Sequence, residues 1–365
     1  NKKNFEVKLL TTNKNIDEII KQAEYFNVKN IVVTSKKHYL LLNKKKNLKK
    51  KFKIHNDFKE IDSIFTKKLD LVMSSITGIA GLEPTLKIIK HTKTIGIANK
   101  ETIICGWNLI LAELKKYKSS FFPIDSEHFS IYSLNNGFDT SFIEKIYITA
   151  SGGPFLNSPV NSLNEVNPSK AINHPNWKMG KKISIDSATL INKVFEIIEA
   201  QRIFNLKKKF FEIIIHPKSY LHSIIKYTNG TSKLLVHDTT MKIPIFNYIC
   251  KDLKKKLITK SLDFDTLNNL KLSKPNKKQF PLLSILDYIQ EDISLFETVI
   301  VAANDELVEN YLIGNIKFNQ ISKLLFNIIS QKEFKNLKYK KPKDLKQIIK
   351  LNKYVRLKTL NLCIE

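Results

Sequence analysis

The chain has 365 residues, of which 42% are hydrophobic and 26% charged, a balance typical of globular proteins and unlike that of disordered or collagen-like chains. Its 3 cysteines lie far apart, which argues against a disulfide framework or a structural zinc site and fits a reducing compartment. We find no apolar run long enough to span a membrane and no signal-peptide pattern at the start of the sequence, so we expect no membrane association.

The first 118 residues alternate short apolar runs with amphipathic stretches. Periodicity predicts helices at Asn15–Phe26 and Glu83–His91. The apolar runs predict strands at Val7–Leu10, Ile31–Val33, Leu69–Met73 and Thr94–Ala98. This alternation predicts an α/β fold with a parallel sheet, in which ligands bind at the carboxyl ends of the strands.

The rest of the chain divides into three parts by composition. Residues 119–259 hold most of the polar motifs and four further predicted strands, at Ser120–Ile124, Lys145–Thr149, Phe211–Ile215 and Lys233–Val236. Residues 260–281 are polar, contain Pro275 and are interpreted as a linker. Residues 282–365 are helical in pattern, as at Val299–Leu312 and Ile321–Ile329.

The net charge of +27 has two interpretations. A basic surface can bind nucleic acid. The lysines are spread along the whole chain, however, and their runs lack the interleaved aromatic residues of single-strand-binding proteins. We favour a compositional bias toward Lys, Asn and Ile, and expect no nucleic-acid partner. The same basic field would attract a phosphorylated substrate.

Two acidic groups of residues suggest a metal site. The first group lies in Pro123–His128, directly after a predicted strand. Because side chains alternate along an extended chain, Asp125 and Glu127 would point the same way. The two carboxylates could share a divalent cation, or they could be solvated carboxylates of a loop. In a predicted helix, Asn192, Glu196 and Glu199 share one face. Glu196 would then be either a partner of Lys193 or a third oxygen ligand beside Asp125 and Glu127.

Three further features suggest an anion site. The Gly-Gly turn in Ala150–Phe155 would let backbone N–H groups approach an anion, with the hydroxyl of Ser151 beside them, although such turns are common. The loop His174–Gly180 is either pinned to the core by Trp177 or forms a lid over a substrate. Lys100 adds a cation at the end of a predicted strand, unless it is an ordinary solvated lysine.

Taken in order, these motifs resemble those of the 1-deoxy-D-xylulose 5-phosphate reductoisomerase family. The resemblance extends over nearly all of the chain and is carried by several motifs at matching spacing. They are Asn99–Glu101, Pro123–His128, Ser151–Phe155, His174–Gly180, Lys182–Thr189 with Asn192, Lys193 and Glu196, Ile215–Ser219 with Leu221–Ser223, and Ala302–Asp305.

The resemblance implies a Rossmann-like NADPH-binding domain at 1–118, an α+β catalytic domain with a flexible flap at 119–259, a linker at 260–281 and a C-terminal helical domain at 282–365. It implies reduction and rearrangement of 1-deoxy-D-xylulose 5-phosphate to 2-C-methyl-D-erythritol 4-phosphate in non-mevalonate isoprenoid biosynthesis, with NADPH and Mg²⁺ or Mn²⁺ as cofactors. A homodimer is also implied.

The resemblance also assigns roles to residues. The metal ligands would be Asp125, Glu127 and Glu196, and the catalytic residues would be these three with Lys100. The substrate contacts would be Lys100, Ser126, Glu127, Ser151, His174, Trp177, Ser187, Asn192, Lys193 and Glu196. The NADPH contacts would be Asn13, Lys14, Asn15, Asn99, Glu101, Met179 and Gly180, with Lys14 favouring NADP over NAD.

The chain departs from the family pattern in three places. The first strand and the Gly-rich pyrophosphate fingerprint are missing, so we expect that a start before Asn1 has been lost, together with a transit peptide if the protein is from an organelle. Val194 stands where the family usually has Gly, and Thr239-Thr240 stands where Pro-Asp is usual. The expected location is therefore the bacterial cytoplasm or the stroma of a plastid-type organelle. The alternatives to the reductoisomerase are a paralogue acting on another phosphorylated substrate and an inactive relative.

Overall fold

The computed structural model of the chain describes residues 4–135, 139–251 and 253–364. Asn1, before which we expect a missing start, lies outside the described residues. The chain forms two compact units. The N-terminal unit comprises Asn1–Asp70 and Lys87–Lys93, and the C-terminal unit comprises Leu71–Leu86 and Thr94–Glu365. Among the described residues, no helix combines the length and the apolar character that crossing a membrane requires.

The N-terminal unit is built on a parallel sheet in the order β1-β2-β3. Its strands are β1 (Leu9–Thr12), β2 (Asn30–Val33) and β3 (Lys53–His55), and its helices are α1 (Ile16–Phe26), α2 (Lys36–Asn43), α3 (Lys46–Lys51) and α4 (Ile61–Ile64). The Asn15 side chain caps α1 by accepting the Glu18 N–H, and Asn27 ends the helix in the left-handed region. Three of the short elements, β3, α3 and α4, carry too few apolar residues for periodicity to reveal them.

A second sheet has the order β4-β5-β6, and its β5 and β6 run parallel. Its strands and helices are β4 (Leu69–Ser74), α5 (Leu82–Ile88), β5 (Thr92–Ile97), α6 (Lys100–Tyr117) and β6 (Ser120–Pro123). Asn99 caps α6 through its Oδ1, which accepts the Thr102 N–H at 3.1 Å. Its Nδ2 donates to the carbonyl oxygens of Ile76 and Gly78. One asparagine therefore ties the loop after β4 to the start of α6.

The third sheet is mixed and has the order β10-β9-β7-β8. The strands β7 (Ile143–Ala150) and β8 (Phe211–Ile215) are parallel, while β9 (Leu221–Tyr227) runs antiparallel to β7 and to β10 (Ser232–Val236). The helices beside it are α7 (Ser126–Leu134), α8 (Pro168–Ala171), α9 (Lys181–Ala188) and α10 (Ile191–Phe204). The predicted strands overlap the observed ones in every case. Two strands, β3 and β9, were not predicted. His222, Ser223 and Lys226 interrupt the apolar pattern of β9.

Helices predominate after β10, including the region 282–365 for which they were predicted. These helices are α11 (Lys242–Ile249), α12 (Phe264–Asn268), α13 (Leu295–Leu312), α14 (Phe318–Ser330), α15 (Lys332–Lys335) and α16 (Leu345–Ile364). The predicted linker 260–281 is not wholly irregular, since α12 forms where the Asp263 side chain accepts the Thr266 N–H. Most residues of α13 are buried, and its first turn carries a capping box of Ser294 and Glu297.

A buried ion pair joins α10 to the start of α13. Arg202 Nη2 lies 2.6 Å from Glu297 Oε1, and both side chains are less than a tenth exposed. Arg202 also donates to the carbonyl oxygens of Glu291 and Asp292. The helix that carries Glu196 is thereby fixed to the helical part of the chain.

We predict that Glu297→Ala lowers the free energy of unfolding by about 3 kcal/mol, because it leaves the Arg202 charge buried without a counter-ion and removes a helix cap. The matched control is Glu144→Ala. Glu144 pairs with Lys226 at the same 2.6 Å distance, but both side chains are more than two-fifths exposed, so the loss should stay below about 1 kcal/mol. Urea unfolding of both variants measures this, and equal losses would contradict the prediction.

Candidate active site

The first two acidic residues sit at the start of α7. Asp125 is the N-cap of this helix, and its Oδ1 accepts the Glu127 N–H at 3.2 Å. Glu127 lies in the first helical turn, so the prediction that alternation along an extended strand aligns these two side chains is wrong. The two carboxylates share a direction because a helix begins between them, where the N-terminal end of the helix also favours negative charge.

The third acidic residue, Glu196, lies on α10 with its side chain almost fully buried. Asn192 lies one turn earlier on the same face, as predicted, and its Nδ2 donates to Glu196 Oε1 at 2.5 Å. One carboxylate oxygen from each of Asp125, Glu127 and Glu196 lies within 4.8 Å of the other two. Residues 71 positions apart in sequence are thus brought to a common point by the packing of α7 and α10.

Two lysines neutralise this acidic group. Lys100 Nζ lies 3.2 Å from Asp125 Oδ2, 3.3 Å from Glu196 Oε1 and 2.7 Å from Asn192 Oδ1. Lys193 Nζ bonds to Glu127 and lies 2.5 Å from Glu196 Oε2. Burial alone would lower the pKa of each lysine, but the surrounding carboxylates outweigh burial and raise it, so both side chains are ammonium ions.

The pKa values of Asp125 and Glu196 are shifted in opposite directions. The pKa of Asp125 lies well below its usual value, because Lys100 and His128 outweigh the effect of burial. The pKa of Glu196 is raised by burial and by the negative charge of Glu127. An additional positive charge at this point would therefore favour the ionised form of Glu196.

Two residues without a predicted role, His128 and Glu199, support this site. His128 Nδ1 lies 3.1 Å from Asp125 Oδ1 and 3.6 Å from Glu199 Oε2, and its Nε2 donates to the Glu196 carbonyl oxygen. Burial raises the pKa of Glu199 to about 8, while Glu199 and Asp125 outweigh burial and raise the pKa of His128 to about 9. Both residues lie within the two acidic motifs of the sequence. His128 is at helical spacing from Asp125 and Glu199 is at helical spacing from Glu196, and this spacing could have indicated their contact with the site.

The predicted anion-binding loops also meet. His174 Nδ1 accepts the backbone N–H groups of Asn176 and Trp177, so the ring proton lies on Nε2, which donates to Ser151 Oγ at 2.9 Å. The pKa of His174 falls to about 4, through burial and the nearby charge of Lys193. Since Ser151 Oγ also accepts the Gly153 N–H, its own hydroxyl hydrogen is available to an acceptor.

Gly153 explains how the loop after β7 reaches α9. Its φ is +66°, and a Cβ at this position would lie 2.9 Å from the Ser187 carbonyl oxygen and from Ala188 Cα. The close approach therefore requires glycine. Ser187 is half-buried at this contact. Two other predicted substrate contacts, Asn192 and Lys193, bond to the acidic group.

Two further predicted substrate contacts are Ser126 and Trp177. The Ser126 hydroxyl donates to the Glu127 carboxylate. Trp177 is half-buried, and its ring meets the His222 ring edge-on with 6.1 Å between centroids.

The predicted NADPH contacts fall into both units. In the N-terminal unit, Asn13 donates to Thr34 Oγ1. Lys14 and Asn15 line a cavity of about 360 Å³ together with Ile16, Asp17, His38, Leu41, Leu42 and Lys45.

In the C-terminal unit, Asn99 caps α6, while Met179 is half-buried and Gly180 is the exposed N-cap of α9. The Glu101 carboxylate is already engaged, since Lys182 Nζ lies 2.7 Å from it. The NADPH role of these residues stays a prediction.

The departures from the family pattern are accommodated locally. Val194 is fully buried, and α10 runs through it without interruption. Thr240 Oγ1 accepts the Lys242 N–H just before α11, whose N-cap is Met241.

Comparison with known proteins agrees with this architecture. A family model described as 1-deoxy-D-xylulose 5-phosphate reductoisomerase matches residues 1–106, and two models of C-terminal domains of that enzyme match residues 121–204 and 237–358. The reductoisomerase of Pelagibacter ubique is 53% identical over 99% of this chain and 94% of its own length. That of Clostridium botulinum strain Alaska E43 is 35% identical over 97% of this chain and 92% of its own length.

Solved structures of reductoisomerases also match the fold of this chain. The Zymomonas mobilis reductoisomerase in complex with NADPH has a TM-score of 0.83 at 28% identity, covering 100% of this chain and 93% of its own. A reductoisomerase in complex with NADPH, fosmidomycin and magnesium has a TM-score of 0.90 at 29% identity, covering 99% of this chain and 92% of its own. The fold thus defines an α/β oxidoreductase with a Rossmann-like region and a helical C-terminal region. The chain belongs to the 1-deoxy-D-xylulose 5-phosphate reductoisomerase family.

We predict that Lys193→Met makes Mn²⁺ binding about tenfold tighter in the absence of substrate, because a divalent ion and the Lys193 ammonium compete for the same oxygens of Glu127 and Glu196. Titration followed by electron paramagnetic resonance measures this affinity. Lys226→Met, which removes an exposed lysine, is the control. Unchanged or weaker Mn²⁺ binding in Lys193→Met would show that the lysine and the ion do not share a site.

Proposed function

We propose that this chain converts 1-deoxy-D-xylulose 5-phosphate to 2-C-methyl-D-erythritol 4-phosphate with NADPH, in non-mevalonate isoprenoid biosynthesis. The observation that carries the proposal is the convergence of Asp125, Glu127 and Glu196 within 4.8 Å, beside the ammonium groups of Lys100 and Lys193. The names of the relatives and the ligands of the solved structures support it. An inactive relative would have no reason to retain three converging carboxylates at a desolvation cost. A paralogue acting on another phosphorylated substrate remains the alternative.

Asp125, Glu127 and Glu196 are the proposed metal ligands. Their donor set consists of oxygen alone, which suits Mg²⁺ and Mn²⁺. The bound ion supplies Lewis acidity for polarising the ketone and hydroxyl oxygens of the substrate. His128 and Lys100 hold Asp125 in its ionised form, and Asn192 orients Glu196 through its amide.

The substrate phosphate is proposed to bind where Ser151, His174 and Ser187 meet. Ser151 offers its hydroxyl hydrogen, and neutral His174 holds Ser151 in place through Nε2. Asn192 and Lys193 of α10 complete the proposed phosphate contacts, and the charge of Lys193 acts on His174. Binding energy from a phosphate remote from the reacting carbon can stabilise the transition state.

Lys100 and Ser126 are proposed to contact the substrate carbon chain. Lys100 is a buried ammonium ion, so it can donate hydrogen bonds to substrate oxygens without losing its charge. Trp177 and Met179 belong to the proposed flap that excludes water during hydride transfer.

The proposed NADPH contacts are Asn13, Lys14 and Asn15 with Asn99, Glu101, Met179 and Gly180. Lys14 lines the cavity of the N-terminal unit, where a cation would bind the 2′-phosphate that distinguishes NADPH from NADH. His38 and Lys45 line the same cavity and add to its basic character.

The domain division 1–118, 119–259, 260–281 and 282–365 is retained as a proposal. The separate matches at 1–106 and 121–204 support its first boundary, whereas the match at 237–358 runs across the other two. A homodimer and a cytoplasmic location are also proposed. The bacterial relatives support the location. The edge strand β10, with Leu234 nearly half exposed, supports a second copy as partner because an apolar edge favours pairing.

We predict that Glu196→Gln lowers kcat by about a thousandfold, since Lewis-acid activation contributes several kcal/mol to such reactions. The fold should persist, because burial already disfavours the charged form of this side chain. Steady-state kinetics and thermal unfolding measure the two effects.

The control is Glu309→Gln, which changes an exposed glutamate of α13 and should leave kcat unchanged. Calorimetry with fosmidomycin provides a second readout. The parent should bind it in the presence of Mg²⁺ and lose it with EDTA, whereas Glu196→Gln should bind weakly in both. Near-normal turnover by Glu196→Gln would remove the metal assignment.

We predict that Lys14→Ala raises KM for NADPH about fivefold while KM for NADH stays constant, because only NADPH carries a phosphate for this charge to bind. Lys21→Ala, an exposed lysine of α1 away from the cavity lining, is the control. Equal effects of Lys14→Ala on both cofactors would place the 2′-phosphate elsewhere.

A further inference from the structure

The segment Asn173–Gly180 joins α8 to α9 and forms a compact turn around His174. As described above, His174 Nδ1 accepts two backbone N–H groups and Nε2 donates to Ser151. The turn therefore moves as one piece, and the positions of His174 and Trp177 depend on what fastens this piece to the rest of the C-terminal unit.

A second attachment lies on the other side of the turn. The Asn176 Nδ2 group donates to the Pro217 carbonyl oxygen at 2.5 Å and to Ser219 Oγ at 3.1 Å. A carbonyl oxygen only accepts, so the amide nitrogen must face it, and both hydrogens of this amide are used. Asn176 thus connects the segment to the residues that follow β8.

Ser219 adopts a backbone conformation that non-glycine residues rarely use. Its φ is +53°, in the left-handed region, and the residue is only 7% exposed. Such a conformation costs of order 1 kcal/mol or more and persists where the surroundings impose it. Here it directs the hydroxyl toward Asn176.

Further hydrogen bonds fix the turn that carries Ser219. His216 N donates to the Ala150 carbonyl oxygen, which continues the pairing of β7 with β8, and His216 Nδ1 donates to the Leu270 carbonyl oxygen at 2.6 Å. Lys218 Nζ donates to Thr266 Oγ1. The turn is therefore a fixed support, placed beside Ser151 at the carboxyl ends of two adjacent parallel strands.

We propose that Asn176 and Ser219 form a latch that holds the segment Asn173–Gly180 over the active site. Both are positioning residues, and neither has a role in the site as described so far. The latch keeps Trp177 against His222 and His174 against Ser151. The inference rests on the proposed function for its catalytic consequence, but the latch itself is a property of the free protein.

Loss of the two hydrogen bonds of Asn176 should shift the segment toward open conformations. A change of about tenfold in the ratio of open to closed segment corresponds to the net free energy that one or two hydrogen bonds contribute. The expected catalytic result is a rise in KM for the substrate of about tenfold with a smaller change in kcat, because the reacting groups are intact once the segment closes.

The experiment uses the tryptophans as reporters. The sequence contains two, Trp107 and Trp177. Trp107 is buried on α6 and its Nε1 has no hydrogen-bond partner among the described residues, so Trp107→Phe sacrifices no hydrogen bond. In the full chain with Trp107→Phe, acrylamide quenching of the fluorescence reports on Trp177 alone.

Asn176→Asp and Asn176→Ala are compared with Asn173→Ala. The aspartate has the shape of asparagine but cannot donate to the Pro217 carbonyl oxygen. Asn173 is an exposed asparagine of the same segment with no described side-chain hydrogen bond, which makes it the matched control. Both Asn176 variants should raise the quenching of Trp177 severalfold in the absence of substrate, and Asn173→Ala should leave it at the parent value.

Ser219→Ala provides a second test if the Asn176 variants melt at lower temperature than the control. It removes one of the two acceptors, so quenching should rise by a smaller amount, and in combination with Asn176→Ala it should add nothing. Parental quenching in both Asn176 variants, or full additivity with Ser219→Ala, would overturn the latch. Raised quenching without any turnover of 1-deoxy-D-xylulose 5-phosphate by the parent would refute the proposed function and leave the latch intact.

Discussion

The proposed active site depends on the compensation of buried negative charge. Asp125, Glu127, Glu196 and Glu199 face one another in the interior, and such a group repels itself strongly in a medium of low dielectric constant. Two lysines and a histidine supply the opposing charge, each on a different helix: Lys100 on α6, His128 on α7 and Lys193 on α10. The packing of these helices and the electrostatics of the site are therefore one constraint, since moving a helix separates charges as well as side chains.

Helix starts deliver most of the site residues. Lys100 opens α6 after its cap Asn99, Glu127 follows its cap Asp125, and Gly180 precedes α9. A helix that begins at the carboxyl end of a strand places its first turn where ligands of an α/β sheet bind. The capping residues are thus both structural and close to the proposed chemistry, which explains why polar motifs cluster at these junctions.

The helical C-terminal part contributes to this arrangement from outside the site. Asn304 donates to the fully buried Asp186, and Asp305 lies 3.1 Å from Lys182, which also pairs with Glu101. The starts of α6 and α9 are joined to α13 through this one lysine. The motif Ala302–Asp305 therefore acts as support for the catalytic part of the chain, in the same way that Ile215–Ser219 supports the segment above the site.

The sequence by itself determined the alternation of strands and helices, the face shared by Asn192 and Glu196, and the family, because periodicity and motif spacing are properties of neighbouring residues. It placed Asp125 and Glu127 together for the wrong reason, since only the structure shows that α7 begins between them. The contact of His128 with Glu199 and the contact of Asn176 with Ser219 were decided by tertiary structure alone. These contacts join residues whose distance in sequence bears no relation to their distance in space, and burial then sets their charge.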